Sequence, residues 1–93
     1  MPGPLQGVRV VDMTWALAGP FCSMVLADLG AEVIKVENPD GGDPSRKNFP
    51  FTKEVSSYFL SVNRGKKSVT VNLQHPRGKE IIRGLVKKSD ILV

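Results

Sequence analysis

VRVVDMTWALAGPFCSMVLADLGAEVIKVE, residues 8–37, is the stretch that decides the fold. Residues 8–13 (VRVVDM) are rich enough in β-branched and apolar side chains to form a strand. Ala18, Gly19 and Pro20 open a helix, because proline's missing N–H would lack a partner in a first turn anyway. The apolar run that follows leaves Ser23 and Asp28 as its only polar side chains, which predicts a helix covered on most sides. Gly30 stops it at the C′ position, where a left-handed backbone costs glycine little. Val33, Ile34 and Val36 then mark a second strand ending at Glu37. Strand, helix and strand within about 30 residues make the βαβ unit of a buried parallel sheet. Nucleotide-like and anionic groups bind beside the strand ends and helix N-terminus of such units.

Working outward, residues 38–53 (NPDGGDPSRKNFPFTK) are dense in Pro, Gly, Asp and Asn and read as an irregular loop. A loop of about 16 residues is long for a small domain, and such loops are often functional. Residues 56–62 (SSYFLSV) are expected to form a short helix. Residues 68–73 (SVTVNL) alternate Val69 and Val71 with polar side chains and predict a strand. Pro76 opens a further helix that carries Ile81, Ile82, Leu85 and Val86 on one face. Residues 90–93 begin another strand with no covering element after it. The chain therefore reads as α/β, with residues 1–93 the N-terminal part of a longer Rossmann-like domain.

Composition excludes several classes. No run of about 18 apolar residues is present, which removes a membrane-spanning helix. The lone Cys22 excludes an internal disulfide and suits a reducing compartment. Its neighbours Phe21 and Met24 predict a buried structural thiol rather than a nucleophile. His75 lies at a helix entrance with no second His or Cys nearby, so no metal site is expected. Glu37 stands where a dinucleotide fold puts its ribose carboxylate, yet G-x-G-x-x-G is missing after the first strand. Asp12 reads as a strand-end or capping acid, and Trp15 as core, subunit interface or ligand wall.

The net charge of +4 is unevenly divided. Residues 1–62 hold five Lys/Arg against seven Asp/Glu, and residues 63–93 hold eight against two. Basic residues from Arg77 to Lys88 read as a solvated helix face. Arg64, Lys66 and Lys67 instead flank Gly65 in what reads as a short loop before a strand, where cations and backbone N–H groups can converge on an anion.

Residues 4–46 and 57–93, above all AGPF at 18–21, LADLGAEVIKVE at 26–37 and NRGKKSV at 63–69, closely resemble the N-terminus of family III coenzyme A transferases. That group includes carnitine CoA-transferase, formyl-CoA transferase and α-methylacyl-CoA racemase. The resemblance implies a cytoplasmic, interlocked homodimer of much longer chains, with acyl-CoA and a carboxylic acid as substrates. It implies an aspartate nucleophile that forms an anhydride and then a CoA thioester. None of Asp12, Asp28, Asp40, Asp43 or Asp90 matches that aspartate's motif, so no catalytic residue is assigned here.

Binding residues carry over by position. Ala16, Leu17 and Ala18 match the segment lining the CoA and acyl site. Leu17 stands where formyl-CoA members have a glutamine, which argues against a small polar acyl group. Asn38 falls where many members put an arginine on the adenine, and an amide there can still hydrogen-bond the base edge. Asn63, Arg64, Lys66 and Lys67 match the segment near the CoA phosphates, and Arg46 a family arginine near the site. A racemase using acid–base chemistry is the rival within the family. Outside it stand a non-catalytic nucleotide-binding module and a basic nucleic-acid binder, the latter with steeply salt-dependent binding. The transferase reading involves no nucleic acid, membrane or metal.

Overall fold

The computed structural model describes residues 3–93. Strand β1 (Arg9–Asp12) leads into helix α1 (Ala18–Asp28), and strand β2 (Glu32–Glu37) follows. A 3₁₀ turn at Pro44–Lys47 and a small hairpin of β3 (Phe51–Thr52) and β4 (Val55–Ser56) interrupt the expected loop. Then come α2 (Ser57–Asn63), β5 (Lys66–Thr70), α3 (Pro76–Lys87) and β6 (Ile91–Leu92). The four long-range strands pair in parallel in the order β5-β2-β1-β6. The sheet therefore grows from β1 on both sides, through β2 to β5 on one and, after the chain crosses back through α3, to β6 on the other. This is a doubly wound α/β sheet.

The βαβ unit forms as its residues dictate. Gly30 adopts φ +105°, and Ala31 N–H returns to Leu26 O at 3.1 Å, which closes α1 and turns the chain into β2. Val10 and Val11 are fully buried and divide the core between the two sheet faces. Val11 joins Val36, Val71 and Ile82 under α3, with Met13, Leu85 and Val86 against them. Val10 joins Val33 and Ala31, with Leu26 and Ala27 of α1 packed on top.

Two expectations need correction. First, α1 is not covered on most sides: it buries Pro20, Ser23 and Met24 but leaves Phe21, Val25 and Leu29 exposed. Cys22 is exposed too, not buried. These side chains lie on the flank turned away from the sheet, and no described element covers it. Second, β5 begins at Lys66, two residues before the predicted strand, so Lys66 and Lys67 belong to the sheet and not to a loop. The register sets Lys66 beside Val33 and Ser68 beside Lys35, so the inward side chains at the start of β5 are polar. Hydrophobic alternation could not mark a strand whose buried contacts are ionic.

Two glycines of α3 offer opposite expectations. A Cβ at Gly78 would overlap the Asn72 carbonyl, whereas one at Gly84 meets nothing within 4 Å. Gly78→Ala should destabilise the fold by about 1–3 kcal/mol through overpacking. Gly84→Ala should stabilise it by up to about 1 kcal/mol through helix propensity. Urea melts of the two variants check both signs.

Candidate functional site

Three segments leave the carboxyl ends of β1, β2 and β5 and enclose an open cleft of about 560 Å³. Met13 and Trp15 come from the first, Asn38, Pro39 and Asp40 from the second, and Asn72, Leu73 and Gln74 from the third. Val36 and Val71, which also belong to the core under α3, line its inner part. The cleft thus joins an apolar wall to a polar edge of three amides, Asn38, Asn72 and Gln74, and two carboxylates, Glu37 and Asp40. Trp15 is 61% exposed and free to meet a ligand. Helix α3 starts two residues after Gln74, and His75 caps it by accepting Arg77 N–H at Nδ1.

Beneath the segment that carries Trp15 lies a row of three ion pairs, two of them fully buried. Lys66 Nζ stands 2.9 Å from Asp12 Oδ2, and Lys35 Nζ 2.9 Å from Asp43 Oδ2, with all four side chains at most 2% exposed. Arg46 closes on both oxygens of Glu37 at 2.7 Å, and its guanidinium carbon lies 3.9 Å from the centre of the Phe59 ring. Asp12 also accepts from the Ser23 hydroxyl at 2.6 Å, and from the N–H and hydroxyl of Thr14. Glu37 Oε1 accepts Asp43 N–H at 3.0 Å, and Oε2 accepts the Ser68 hydroxyl.

The charges stay on despite burial. Burial alone raises the Asp12 carboxyl, but hydrogen bonds from Lys66, Ser23 and Thr14 together bring it below its usual value. Asp43 is lowered the same way, burial opposing and Lys35 and Ser45 prevailing. Arg46 dominates at Glu37 and, against burial, lowers it to about 2. Burial lowers the Lys66 ammonium, with Asp12 opposing.

The residues expected at the site divide into three groups. Asn38 lines the cleft. Ala16, Leu17 and Ala18 follow Trp15 directly: Ala16 takes a left-handed φ of +68°, Leu17 precedes α1 as its N-cap, and Ala18 begins the helix. The third group sits at the opposite, amino end of β5. Asn63 is buried, bonded to Phe59 O and accepting from Lys66 Nζ at 2.8 Å. Lys66 also donates to Pro20 O, so a phosphate contact from it would require this buried pair to open. Arg64 pairs with Asp28, and Lys67 with Glu32, both near the surface. Sequence reasoning left Leu73 and Gln74 unassigned and Trp15 undecided. The only available signal was their position just past strand ends, where open α/β sheets bind ligands. Among the described residues no group of His, Cys, Asp and Glu has a metal-holding arrangement, and no helix is long and apolar enough to cross a membrane.

Known proteins agree on the kind of chain this is. The family profile described as CoA-transferase family III matches residues 5–93. The chain is 55% identical over 91 residues to succinyl-CoA:glutarate CoA-transferase of Mus musculus, covering 97% of itself and 21% of that protein. It is 47% identical to succinyl-CoA:mesaconate CoA-transferase of Haloarcula marismortui, covering 98% of itself and 24% of the relative. In structure it matches a CAIB/BAIF family protein from Brucella suis with a TM-score of 0.91 at 39% identity, over 99% of this chain and 25% of that one. The chain therefore spans about a quarter of the length of its relatives.

The depressed carboxylates fix the sign of a pH effect. A folded pKa below the unfolded one gives stability that is present at neutral pH and lost as pH falls. For Glu37 the loss runs from its ordinary 4.5 down to about 2. Urea melts across that window should fall more steeply for the unsubstituted protein than for Glu37→Gln, which is less stable at pH 7 but keeps more of its stability in acid.

Proposed function

The chain belongs to CoA-transferase family III, and on that premise we propose that it forms the CoA-holding part of an enzyme that moves coenzyme A between carboxylic acids. The observation that carries this reading is the cleft at the strand ends, with an exposed aromatic wall at Trp15 and amide edges at Asn38 and Gln74. A purine base offers a flat π-face for the indole and a hydrogen-bonding edge for the amides. Ligands of open α/β sheets occupy this position, outside the carboxyl ends of the strands.

Each residue then has a task. Asn38 meets the adenine edge without the charge that a guanidinium would bring. Ala16, Leu17 and Ala18 border the path of the pantetheine arm and acyl group. The phosphates lie toward the N-terminus of α3, where the positive end of the helix dipole favours an anion although the His75 side chain already takes Arg77 N–H. That helix carries Arg77 and no acid in its first turn, a choice unfavourable for the bare helix and favourable beside a phosphate. Of the basic cluster at residues 63–67, Arg64 and Lys67 hold surface pairs at the amino end of β5, the far end of the strand from this cleft, so the phosphate contact falls to α3 and not to them. Asn63 and Lys66 act from within, by holding Asp12.

The reaction is nucleophilic catalysis on a carboxylate outside this chain. An aspartate attacks the thioester carbonyl and forms a mixed anhydride as CoA leaves as thiolate. The thiolate then attacks the aspartyl carbonyl, releases the first acid as carboxylate and leaves an enzyme thioester. The acceptor carboxylate reverses the exchange: it attacks the aspartyl thioester and frees the thiolate, which attacks the acceptor's acyl carbonyl and releases both the aspartate and the new CoA ester. The relatives' names couple succinyl-CoA with glutarate or mesaconate. Dicarboxylic acids are therefore the substrate class, and Leu17 suits a longer acyl chain better than formyl. The full enzyme is a cytoplasmic homodimer in this reading.

Trp15 is the only tryptophan of the 93 residues, so its fluorescence reports the cleft directly. Titration with CoA should change it saturably, with amide shifts at Asn38, Leu73, Gln74 and Arg77, and dephospho-CoA should bind more weakly. A folded chain whose Trp15 emission and amide spectrum ignore both ligands would sink the proposal.

A further inference from the structure

One buried ion pair grips both peptide groups of Trp15. The peptide before it offers the Thr14 carbonyl, which accepts from Lys35 Nζ at 3.1 Å. The peptide after it offers Ala16 N–H, which donates to Asp43 Oδ1 at 3.3 Å. Lys35 and Asp43 face each other at 2.9 Å, with side chains 2% and 0% exposed. Asp43 is itself fixed. Its Oδ1 also accepts Ser45 N–H at 2.9 Å and the Ser45 hydroxyl at 2.8 Å, and its own N–H donates to Glu37. Thr14, one residue earlier, is pinned at its N–H and hydroxyl by Asp12.

This backbone is not one the chain would choose unaided. Ala16 sits at φ +68°, a left-handed conformation disfavoured for any residue with a Cβ. Such conformers persist only where the surroundings over-determine them, and they cluster at ligand sites. The Lys35–Asp43 grip supplies that over-determination. It leaves the indole exposed at the cleft while its main chain is locked. Asp43 lies six residues after Glu37, in the segment that also carries Asn38. The same pair therefore ties two walls of the cleft to each other.

We propose that Lys35 and Asp43 are positioning residues for acyl-CoA, holding Trp15 as a preset wall so that the ligand's heterocycle meets a surface already in place. Preorganisation of this kind raises affinity by removing the ordering that binding would otherwise require. It acts on the part of the ligand remote from the thioester. Its loss therefore shows mainly in KM and hardly in kcat. The inference rests on reading the cleft as the CoA site.

The test uses the complete enzyme that carries this chain. Lys35→Met/Asp43→Leu removes both charges and both hydrogen bonds to the Trp15 peptides together, and a buried pair tolerates joint replacement by apolar side chains far better than the loss of one partner. KM for acyl-CoA should rise about five- to tenfold, the scale of one or two hydrogen bonds, with kcat within about twofold. Trp15→Ala should raise KM by a similar factor. The triple variant should match Trp15→Ala alone, because the pair acts through that residue. A normal KM for Trp15→Ala would remove the CoA reading of the cleft and the proposal with it. A raised KM for Trp15→Ala beside a normal KM for the pair variant would overturn the positioning role alone. So would a triple variant whose factors multiply, or a pair variant that loses kcat as strongly as KM. Hydrogen exchange of the unsubstituted enzyme tests the same point without any variant. Ala16 N–H should be protected before CoA is added and gain little on binding. Fast exchange that slows only with CoA would mean that the ligand orders this wall, and would overturn the proposal.

Discussion

The row Asp12–Lys66, Lys35–Asp43 and Glu37–Arg46, its first two pairs fully buried and its third a buried Glu37 under a partly exposed Arg46, is the constraint on which the other contacts depend. It occupies the sheet face under α1 and α2, while the opposite face under α3 is an ordinary apolar core. Buried pairs add little net stability, since desolvation offsets their attraction, but losing one partner costs about 3–5 kcal/mol. Against a domain stability of about 5–15 kcal/mol, that is a large fraction. The row therefore works chiefly by exclusion. A one-residue slip of β2 would carry Lys35 to the other face, among Val11, Val71 and Ile82, where no acid waits. Register, and with it the alignment of the three strand ends around the cleft, is set by charges that have only one place to go.

What the sequence disclosed follows the same division. The apolar contacts of both faces were legible: Val10, Val11, Val33, Val36 and Ile82 lie where periodicity puts them, and Gly30 and Pro76 punctuate the helices as expected. The ionic contacts were not. The opening of β5 reads KKSVT, and two lysines beside a glycine look like a solvated loop until their acids are known. Those acids lie 35 and 54 residues away in sequence, at Glu32 and Asp12. No local pattern carries such a partnership. The exposed Phe21, Val25 and Leu29 erred in the other direction: apolar side chains announced burial that no described element provides.

The cleft was half visible for a related reason. Asn38 is marked by its place just after β2, and Trp15 by its type, but neither signal says that the two share one wall system. That fact depends on Asp43, which reads as one more turn residue among NPDGGDPSR. Its buried carboxylate joins the segment after β1 to the segment after β2 through Ala16 N–H and Lys35. A polar residue in a Gly-rich loop carries no sequence mark that separates a solvated turn from an anchored one. The difference lies wholly in the tertiary contacts.

The uneven charge of the chain takes on a different meaning once those contacts are known. A basic second half suggests an acidic partner outside the protein, and a polyanion would be the first candidate. Yet Arg64, Lys66 and Lys67, three of its eight basic side chains, are paired with Asp28, Asp12 and Glu32, all from the acidic first half. Two of these pairs are surface contacts worth little each, and the third is buried. Together they join α2 and β5 to the opening βαβ unit across the gap left by the long loop. The charge asymmetry thus acts first as complementarity between two segments of the same sheet. The basic residues left over lie on α3 and at its end, and the N-terminus of that helix stands at the rim of the cleft. The surplus that remains after the fold has used its share lies along α3, whose first turn carries Arg77 and Lys79.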